Sequence, residues 1–501
     1  MTSYWLATTE TTTIAPLTED VSVDVAVIGG GITGLSAAWE LQSRGLSVAV
    51  LEADRIAAAT TGNTTAKLTS LHTDAYSRIT STHGRDTARL YAASQQHAIE
   101  RVRQTVSELE IDCEWETLSA YTYMKADSAR REAEAAHDAG LPAEFVTDSG
   151  LPFPIEGAVR VTGQAQFHPR KYLLKLAAAF CRRGGMVFER TRATGLDGSQ
   201  VRTDTGHTVQ ARDVVVATHV PIFDKSLLVS RLTHRREFVV AAPIPAGQDP
   251  HGMYITPDHG TRSVRTAPLA DGRRLLIVTG EHFAPGSGDA LQRLQRLVSW
   301  TTEHFGVERV AYRWAAQDPA AADGLPFIGH MPMASEHVWT ATGFGGWGMT
   351  NGVMAGELLA TLIAAADVPE WASIYSPTRV HPLAEAPSVV ASGAKYAWHL
   401  VADRVSVPGE GALADLGPGQ GAVVRLDGEH RAVYRDDEGE LHAVSATCTH
   451  MGCTVAFNDA ERSWDCPCHG SRFTVDGSVL EGPANAPLAP HELRVSPSGN
   501  G

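Results

Sequence analysis

The hydrophobic pattern near the beginning of the chain predicts a strand, a helix and a second strand. Residues 21–28 form an apolar run that ends in glycine, which is typical of a buried strand. Helical periodicity follows through Leu35–Leu41, and a second apolar run covers Leu46–Leu51. Residues 1–20, which precede this βαβ unit, are polar and rich in threonine, so we expect a loosely ordered lead-in.

Patterns further along divide the chain into domains. A first domain is predicted over residues 21–375, with an inserted, β-rich subdomain at about 150–320. Prolines and a shortage of large apolar residues then predict a linker over residues 376–404. Residues 405–497 are dense in Gly, Asp and Pro turns, which predicts a final all-β module.

Composition and charge narrow the class of protein. With 501 residues, 43% hydrophobic and 20% charged, the chain resembles a soluble globular protein of about three domains. The formal net charge of −15 disfavours a nucleic-acid-binding surface, which needs clustered Lys and Arg. No basic residue precedes Arg44, and no apolar stretch approaches the ~18–20 residues of a membrane span. We therefore expect a cytoplasmic protein.

Gly29, Gly31 and Gly34 satisfy the pattern G-x-G-x-x-G at the end of the first strand. The first glycine permits a tight turn, the second lets the backbone approach a pyrophosphate, and the third allows close packing of helix on strand. The phosphate charge then meets the N–H groups at the helix N-terminus. Glu52 ends the second strand about 20 residues further on, where a carboxylate binds ribose hydroxyls. These residues predict a dinucleotide site for FAD or NAD.

Three further segments favour FAD. A polar loop of small residues follows Glu52, the run DGLPFIG covers 323–329, and a glycine-rich turn at 341–351 precedes a helix. Together they resemble the D-amino-acid-oxidase-like family of FAD oxidoreductases over residues 20–375. The resemblance implies that the loop and the turn bind FAD, with the helix N-terminus near the flavin pyrimidine ring. The residues implicated in this way are Thr61, Gly62, Asn63, Thr64, Thr65, Gly343, Gly345, Gly346, Trp347, Gly348, Met349 and Thr350.

The turn Gly343–Gly348 also fits G-x-G-x-x-G, so a second, NAD-binding fold is the alternative. After its helix, however, the chain continues into Asp367–Trp371 rather than into a strand that ends in an acidic residue. This continuation disfavours a nicotinamide-linked reductase.

Cysteine and histidine spacing in the final module predicts a metal centre. Cys448 and His450 are separated by one residue, 15 residues follow, and Cys466 and His469 are separated by two. In a Rieske 2Fe–2S centre two thiolates bind one iron and two imidazoles bind the other. Zinc sites and scattered thiols rarely have this pairing of C-x-H with C-x-x-H. We therefore predict that these four residues are the cluster ligands.

Two neighbouring cysteines, Cys453 and Cys468, resemble those of Rieske proteins in respiratory and photosynthetic cytochrome complexes. The resemblance implies a disulfide between the two ligand loops, although in a reducing cytoplasm the alternative is a pair of free thiols. Ser471 matches the serine that donates a hydrogen bond to a cluster sulfur in those proteins. Phe473 stands where they carry tyrosine, and the missing donor predicts a reduction potential below theirs.

Three residues are candidates for the flavin chemistry. Lys67 follows the polar loop and is predicted to bind the flavin ring or a water molecule, while a solvated lysine is the alternative. His72 is five residues further on and is predicted to line the same pocket. Trp347 is predicted to shield one face of the flavin, with ordinary packing as the alternative.

The expected fold class is an α/β FAD/NAD(P)-binding fold with an inserted β-rich substrate domain, followed by an all-β Rieske domain. The combination resembles bacterial DadA-like flavoproteins with a C-terminal Rieske domain. This resemblance implies oxidation of a small substrate, such as an amine or amino acid, and electron transfer through the cluster to an external acceptor protein. The alternatives are electron flow from an external donor protein to the flavin, and a carrier or redox sensor without substrate turnover. No nucleic acid and no membrane span are expected.

Overall fold

The structure is a computed structural model that describes residues 1–226, 228–258, 260–386, 390, 391, 393 and 407–493. These residues form two compact units. The first comprises Met1–His282 and Gln295–Ala386, and the second comprises Phe283–Leu294 and the described residues from 407 onward. Most of the predicted linker after residue 386, and both ends of the predicted 405–497 module, lie outside the described residues.

Helices and strands alternate along residues 4–363, numbered here in chain order. The helices are α1 (Tyr4–Ala7), α2 (Ile32–Ser43), α3 (Ala75–His83), α4 (Arg85–Glu108), α5 (Ala126–Asp138), α6 (Pro169–Arg182), α7 (Ala290–Phe305) and α8 (Gly348–Ile363). The strands are β1 (Val21–Ile28), β2 (Val48–Leu51), β3 (Lys67–Leu68), β4 (Glu116–Met124), β5 (Ala143–Val146), β6 (Gly157–Gln166), β7 (Met186–Phe188), β8 (Ala193–Asp197), β9 (Gln200–Thr203), β10 (Thr208–Val216), β11 (Leu232–Ile244), β12 (Met253–Thr256), β13 (Arg262–Pro268), β14 (Arg274–Phe283), β15 (Tyr312–Ala321), β16 (Phe327–His330) and β17 (Val338–Thr342). Among the residues that the structure describes, no helix has both the length and the apolarity needed to cross a membrane.

The first sheet of this unit has the strand order β16-β17-β10-β1-β2-β7, with β9 beside β10 and β8 beside β9. The strands from β17 to β7 run parallel, and β16 is antiparallel to β17. Val25, Val27 and Val50 have no exposed surface, as expected of parallel strands that are covered on both faces. The predicted α/β nucleotide fold is confirmed.

The second sheet has the order β15-β11-β14-β13-β12-β4-β6-β3, with β5 beside β6. Its strands come from residues 67–166 and 232–321, whereas β7–β10 return to the first sheet. The substrate subdomain is therefore not the single insertion predicted at about 150–320. The difference arises because hydrophobic periodicity identifies strands but does not assign a strand to one of two sheets.

Helices α2 and α8 pack against each other through glycine. A Cβ atom built on Gly356 would lie 2.6 Å from the backbone nitrogen of Ala37, and one on Gly352 would lie 2.7 Å from a side-chain carbon of Ile32. Such close approach of two helices requires residues without a side chain. The contact brings the N-terminal halves of the two helices together, and both follow glycine-rich turns.

The N-terminal segment is ordered and buried, so the expectation of a loosely ordered lead-in over residues 1–20 is wrong. Helix α1 begins after Ser3, whose hydroxyl accepts a hydrogen bond from the backbone N–H of Leu6. Ser3 and Trp5 have no exposed surface, and Tyr4 and Leu17 are also buried. The threonines that make the segment look polar are hydrogen-bonded, because Thr8 and Thr9 donate to carbonyls one turn earlier.

The first residues of the predicted linker belong to the first unit. Arg379 binds the buried carboxylate of Asp323 at 2.7 and 2.8 Å, and Arg231 binds Glu385 at 2.7 and 2.9 Å. Both guanidinium groups also lie over the ring of Phe327, at 4.0 and 4.4 Å from its centre. Residues 376–386 are therefore docked rather than extended, and the unit continues past residue 375.

The second unit contains two small antiparallel sheets. Its strands are β18 (Gly421–Leu426), β19 (Glu429–Arg435), β20 (Leu441–Ser445), β21 (Ala456–Asn458), β22 (Ser463–Asp465), β23 (Arg472–Thr474), β24 (Val479–Glu481) and β25 (Pro490–His491). The sheet orders are β18-β19-β20-β25 and β21-β22-β23-β24. Buried Arg472 binds Glu461, Asp465 and Glu481 at 2.9–3.2 Å. This charge network connects β22, β23 and β24 of the second sheet. The predicted all-β module is confirmed.

Candidate active site and candidate metal centre

The predicted dinucleotide turn connects β1 to α2. Gly29 has a φ of 111°, and a Cβ atom on Gly34 would lie 1.9 Å from the carbonyl oxygen of Gly29, so both positions require glycine. A Cβ atom on Gly31, by contrast, would approach only the hydroxyl of Thr61 within 4 Å. Gly31 therefore leaves the N-terminus of α2 open on one side, which fits the approach of a pyrophosphate.

Glu52 closes the turn at the end of β2. One carboxylate oxygen accepts a hydrogen bond from the N–H of Gly30 at 2.7 Å, and the other accepts from the N–H of Asp54 at 2.9 Å. Burial raises the pKa of Glu52 above its ordinary value, although both hydrogen bonds act in the opposite direction. The partly buried acid beside the glycine turn fits a nucleotide ribose, whose hydroxyls bind such a carboxylate.

The polar loop after Glu52 lies against this turn. Residues Thr60–Asn63 form one turn of 3₁₀ helix, and Thr64 and Thr65 lead into β3. The hydroxyl of Thr61 accepts a hydrogen bond from the backbone N–H of Ile32, in the first turn of α2, at 3.1 Å. The loop and the dinucleotide turn are thus in contact with each other.

The three candidate catalytic residues are close together. The ring of His72 stacks on Trp347, with 4.5 Å between ring centres, and the Lys67 ammonium lies 5.8 Å from the centre of the same indole. The hydroxyl of Thr350, in the first turn of α8, is 3.2 Å from Nε2 of His72. The structure therefore brings Lys67, His72 and Trp347 to the N-terminus of α8, beside Met349 and Thr350.

His72 is held in its neutral form. Burial lowers its pKa to about 3. Its Nε2 lies 2.7 Å from the carbonyl oxygen of Thr69 and its Nδ1 lies 2.6 Å from the hydroxyl of Tyr91. A carbonyl only accepts, so Nε2 carries the proton and Nδ1 accepts from the tyrosine. This fixed ring is suited to positioning Trp347 rather than to exchanging a proton.

Lys67 is buried, and its ammonium donates hydrogen bonds to the hydroxyl of Ser263 and, at 3.2 Å, to the carbonyl oxygen of Tyr254. Burial lowers the pKa of Lys67 to about 7, while the charge of Glu237 opposes the shift. The alternative of a solvated lysine is therefore wrong. A buried amine that gains and loses its proton near neutral pH is suited to acid–base chemistry.

Sequence reasoning did not identify the face of the second sheet that contacts Lys67. Thr122, Ile255, Ser263 and Thr279 are successive register partners across β4, β12, β13 and β14, so their side chains share one face. Ser263 binds Lys67, which identifies this face as the one beside the candidate site. Only the strand register could have brought these residues together, because they are spread over more than 150 positions of the sequence.

The second glycine-rich turn belongs to the same nucleotide fold. Gly343, Gly345 and Gly346 have φ values of 82°, 59° and 91°, and the turn connects β17 to α8. Strand β17 lies in the sheet that contains β1, and the chain after α8 enters a 3₁₀ turn at Glu370–Tyr375. The turn therefore follows the strand with which the chain re-enters the first sheet. It does not begin a second βαβ unit.

The predicted metal ligands lie on two loops of the second unit. Cys448 and Cys466 are buried and outside the disulfide, and the rings of His450 and His469 are 5.1 Å apart between centres. The Cys466 thiol and the Ser471 hydroxyl hydrogen-bond to the sulfur of Cys448 and lower its pKa to about 7. Two adjacent thiols and two adjacent imidazoles are the donor set of a Rieske cluster, so these residues fit the group.

Cys453 and Cys468 form a disulfide, which connects the two loops and leaves the other two sulfurs free. The backbone N–H of Cys448 also donates to the carbonyl of Cys453 at 2.9 Å, and that of Cys466 donates to the carbonyl of Ser471 at 2.7 Å. The disulfide implied by the resemblance is confirmed, and the alternative of two free thiols is not what the structure contains.

Known protein families match both parts of the chain. A model described as FAD dependent oxidoreductase (DAO) matches residues 24–362, and a Rieske [2Fe-2S] domain model matches residues 410–492. The chain belongs to the FAD dependent oxidoreductase family. Its enzymatic class and its two cofactors, FAD and a 2Fe–2S cluster, follow from these matches.

Individual relatives share one or both parts. YhfW of Bacillus subtilis, named as a Rieske 2Fe-2S iron-sulfur protein, is 35% identical over 98% of this chain and 97% of its own length. Gamma-glutamylputrescine oxidoreductase of Escherichia coli is 25% identical over 69% of this chain and 85% of its own length. The crystal structure of L-proline dehydrogenase from P. horikoshii superposes with a TM-score of 0.58 at 18% identity, covering 72% of this chain and 98% of that one.

Phe473 provides a test of the cluster environment. The residue has no exposed surface and pairs with Trp464 across β22 and β23. We expect Phe473→Tyr to raise the midpoint potential of the cluster, because a donor to a cluster sulfur stabilises the reduced state. A net hydrogen bond of about 0.5–1.5 kcal/mol corresponds to a rise of about 20–65 mV for a one-electron couple. Voltammetry of the purified protein measures the shift, with Phe457→Tyr in the neighbouring strand as the control.

Proposed function

We propose that this protein oxidises a small amine or amino acid at FAD and passes the electrons through its 2Fe–2S cluster to an external acceptor protein. The observation that carries the proposal is the group of Lys67, His72 and Trp347 at the N-terminus of α8, in a chain that matches both families. The name of the Escherichia coli relative, gamma-glutamylputrescine oxidoreductase, supports an amine-containing substrate.

The residues of the first unit supply binding and orientation. When bound, FAD accepts a hydride from the substrate carbon and the cluster carries one electron at a time. Gly29, Gly31 and Gly34 would hold the pyrophosphate, Glu52 the ribose, and the loop and turn residues the flavin. Cys448, His450, Cys466 and His469 would hold the cluster. His72 would position Trp347 against the flavin, since its stacked ring is fixed by Thr69 and Tyr91.

Lys67 would remove the proton from the substrate ammonium, because only a neutral amine gives up a hydride readily. Its amine is neutral above a pKa of about 7, so we expect flavin reduction by substrate to accelerate as the pH rises through about 7. Lys67→Met should slow reduction about 100-fold and abolish this inflection. Stopped-flow measurement from pH 6 to pH 9 checks it, with the exposed Lys175→Met as the control. A Lys67→Met profile that keeps the inflection would rule out this role.

The direction of electron flow is tested by anaerobic mixing. The holoprotein is mixed with a panel of primary amines, diamines and amino acids while flavin absorbance and the cluster signal are recorded. Bleaching of the flavin followed by reduction of the cluster supports the proposal. Reduction that occurs only with a protein donor or an artificial reductant would contradict it and favour the reverse flow or a carrier role.

A further inference from the structure

The loop between the 3₁₀ turn and β3 is held by its carbonyl oxygens. Five successive carbonyls, those of residues 62–66, each accept a hydrogen bond from a side chain distant in sequence. Ser3 donates to Gly62 at 2.5 Å, and Trp314 donates to Asn63 at 2.8 Å. Trp5 donates to Thr64 at 2.6 Å. Arg265 donates to Thr65 and Ala66 at 2.9 and 2.8 Å.

The four donors form one buried layer. Ser3 and Trp5 have no exposed surface, and Trp314 and Arg265 are 1% exposed. The guanidinium of Arg265 lies 5.3 Å from the centre of the Trp5 indole, and Trp5, Ala66 and Trp314 belong to one hydrophobic cluster. All five carbonyls of the loop are thus directed toward the same apolar layer.

Peptide geometry then fixes the opposite side of the loop. In a trans peptide the C=O of one residue and the N–H of the next point in opposite directions. The N–H groups of Asn63 and Thr64 serve the i→i+3 hydrogen bonds of the 3₁₀ turn Thr60–Asn63. The N–H of Thr65, which belongs to the peptide whose carbonyl Trp5 holds, therefore points away from the layer that contains Trp5. The start of the same loop contacts the first turn of α2, because the hydroxyl of Thr61 accepts a hydrogen bond from the N–H of Ile32.

The N-terminal segment, defined here as residues 3–12, also reaches the other end of the nucleotide site. The hydroxyl of Thr12 donates to a carboxylate oxygen of Glu189, and the same oxygen accepts from the backbone N–H of Ile56 at 2.9 Å. Between these contacts Arg170 donates to the hydroxyl of Thr9 at 2.8 Å. One continuous segment therefore holds both the loop at 62–64 and the turn that follows Glu52.

We propose that Trp5, with Ser3 and Trp314, is a positioning residue of the flavin site, which holds the loop so that the N–H of Thr65 faces the flavin ring. The inference rests on the proposed binding of FAD beside this loop. Donors at the edge of the ring stabilise the negative charge that builds up on reduction, so these residues set both FAD affinity and flavin potential.

The test compares two indole-to-phenyl substitutions in the full-length holoprotein. Trp5→Phe removes a donor that holds the loop, whereas Trp39→Phe removes a buried indole N–H that has no hydrogen-bond partner among the described residues. We expect Trp5→Phe to weaken FAD binding about 5- to 10-fold, to shift the flavin absorption bands and to lower the flavin midpoint potential. Trp39→Phe should leave all three unchanged. Ser3→Ala and Trp314→Phe should change the same properties in the same direction as Trp5→Phe.

Each outcome separates this inference from the proposed function. If Trp5→Phe and Trp314→Phe lower the melting temperature but leave FAD affinity, absorption bands and potential at wild-type values, the residues are structural and the inference is wrong. If Trp5→Phe does not fold, Ser3→Ala, which removes one hydroxyl, decides by the same three readouts. The measurements need no substrate, so they stand even if the protein oxidises no amine. Wild-type protein that binds no FAD would instead overturn the placement of the flavin.

Discussion

Replacement of Cys448 by serine is expected to abolish the iron–sulfur cluster and leave the flavin in place. The Cys448 sulfur is buried and receives hydrogen bonds from Cys466 and Ser471, so its environment favours the thiolate that binds iron. A serine hydroxyl keeps its proton near neutral pH and is a poor ligand for this site. The first unit has its own hydrophobic core, which contains Val27, Leu35 and Leu359, so its fold does not depend on the cluster.

The expected readouts of Cys448→Ser are distinct. The Rieske electron paramagnetic resonance signal should disappear, and the second unit should melt at a lower temperature, because a bound metal contributes to folding. FAD content and bleaching of the flavin by substrate should stay at wild-type levels, whereas reduction of an acceptor protein should stop. Cys113→Ser, at a buried free cysteine of the first unit, is the control. A variant that keeps the cluster signal would exclude Cys448 as a ligand.

Substitution of Gly34 by alanine is expected to weaken FAD binding about 100-fold. The added Cβ atom would lie 1.9 Å from the carbonyl oxygen of Gly29, so either the turn or the helix has to move. Overpacking of this kind costs about 1–3 kcal/mol, and the shift opens the turn that the pyrophosphate occupies. We expect a rise of about 100-fold in the Kd for FAD, equivalent to about 2.7 kcal/mol.

Fluorescence titration of the flavin-free protein with FAD measures this effect. Gly247→Ala is the matched control, because its added Cβ atom would meet nothing within 4 Å. The iron–sulfur signal should be unaffected in both variants. An unchanged Kd in Gly34→Ala would mean that the nucleotide binds elsewhere.

Some features of the fold could be predicted from sequence because they are local. The strand, glycine turn and helix around Gly29–Gly34 follow from adjacent residues, and so does the cluster motif from Cys448 to His469. The order of the strands in the two sheets of the first unit could not be predicted in the same way. Strands β3 to β6 and β11 to β15 share one sheet, although β7–β10 lie between them in the chain. Hydrophobic periodicity does not show that the chain leaves this sheet and later comes back to it.

The N-terminal segment is the clearest failure of composition as a guide. Its threonines suggested a solvated lead-in, but Ser3 and Trp5 bind carbonyls about 60 residues further along the chain. The sequence shows that a side chain can donate a hydrogen bond, but only the fold determines which carbonyl accepts it. The same holds for Lys67, whose buried partners Tyr254 and Ser263 come from two strands of the second sheet.

The disulfide has a consequence for which sulfur atoms of the two loops can bind a metal. The sulfur atoms of Cys453, Cys466 and Cys468 all lie within 4.8 Å of one another. Three free thiolates at this spacing would offer zinc a sulfur-rich site, because zinc prefers tetrahedral sulfur ligands. Closing the bridge consumes two of the three and leaves the two loops with a single competent set of donors. The bridge thus leaves Cys448 and Cys466 as the thiols of the two loops that are available to iron.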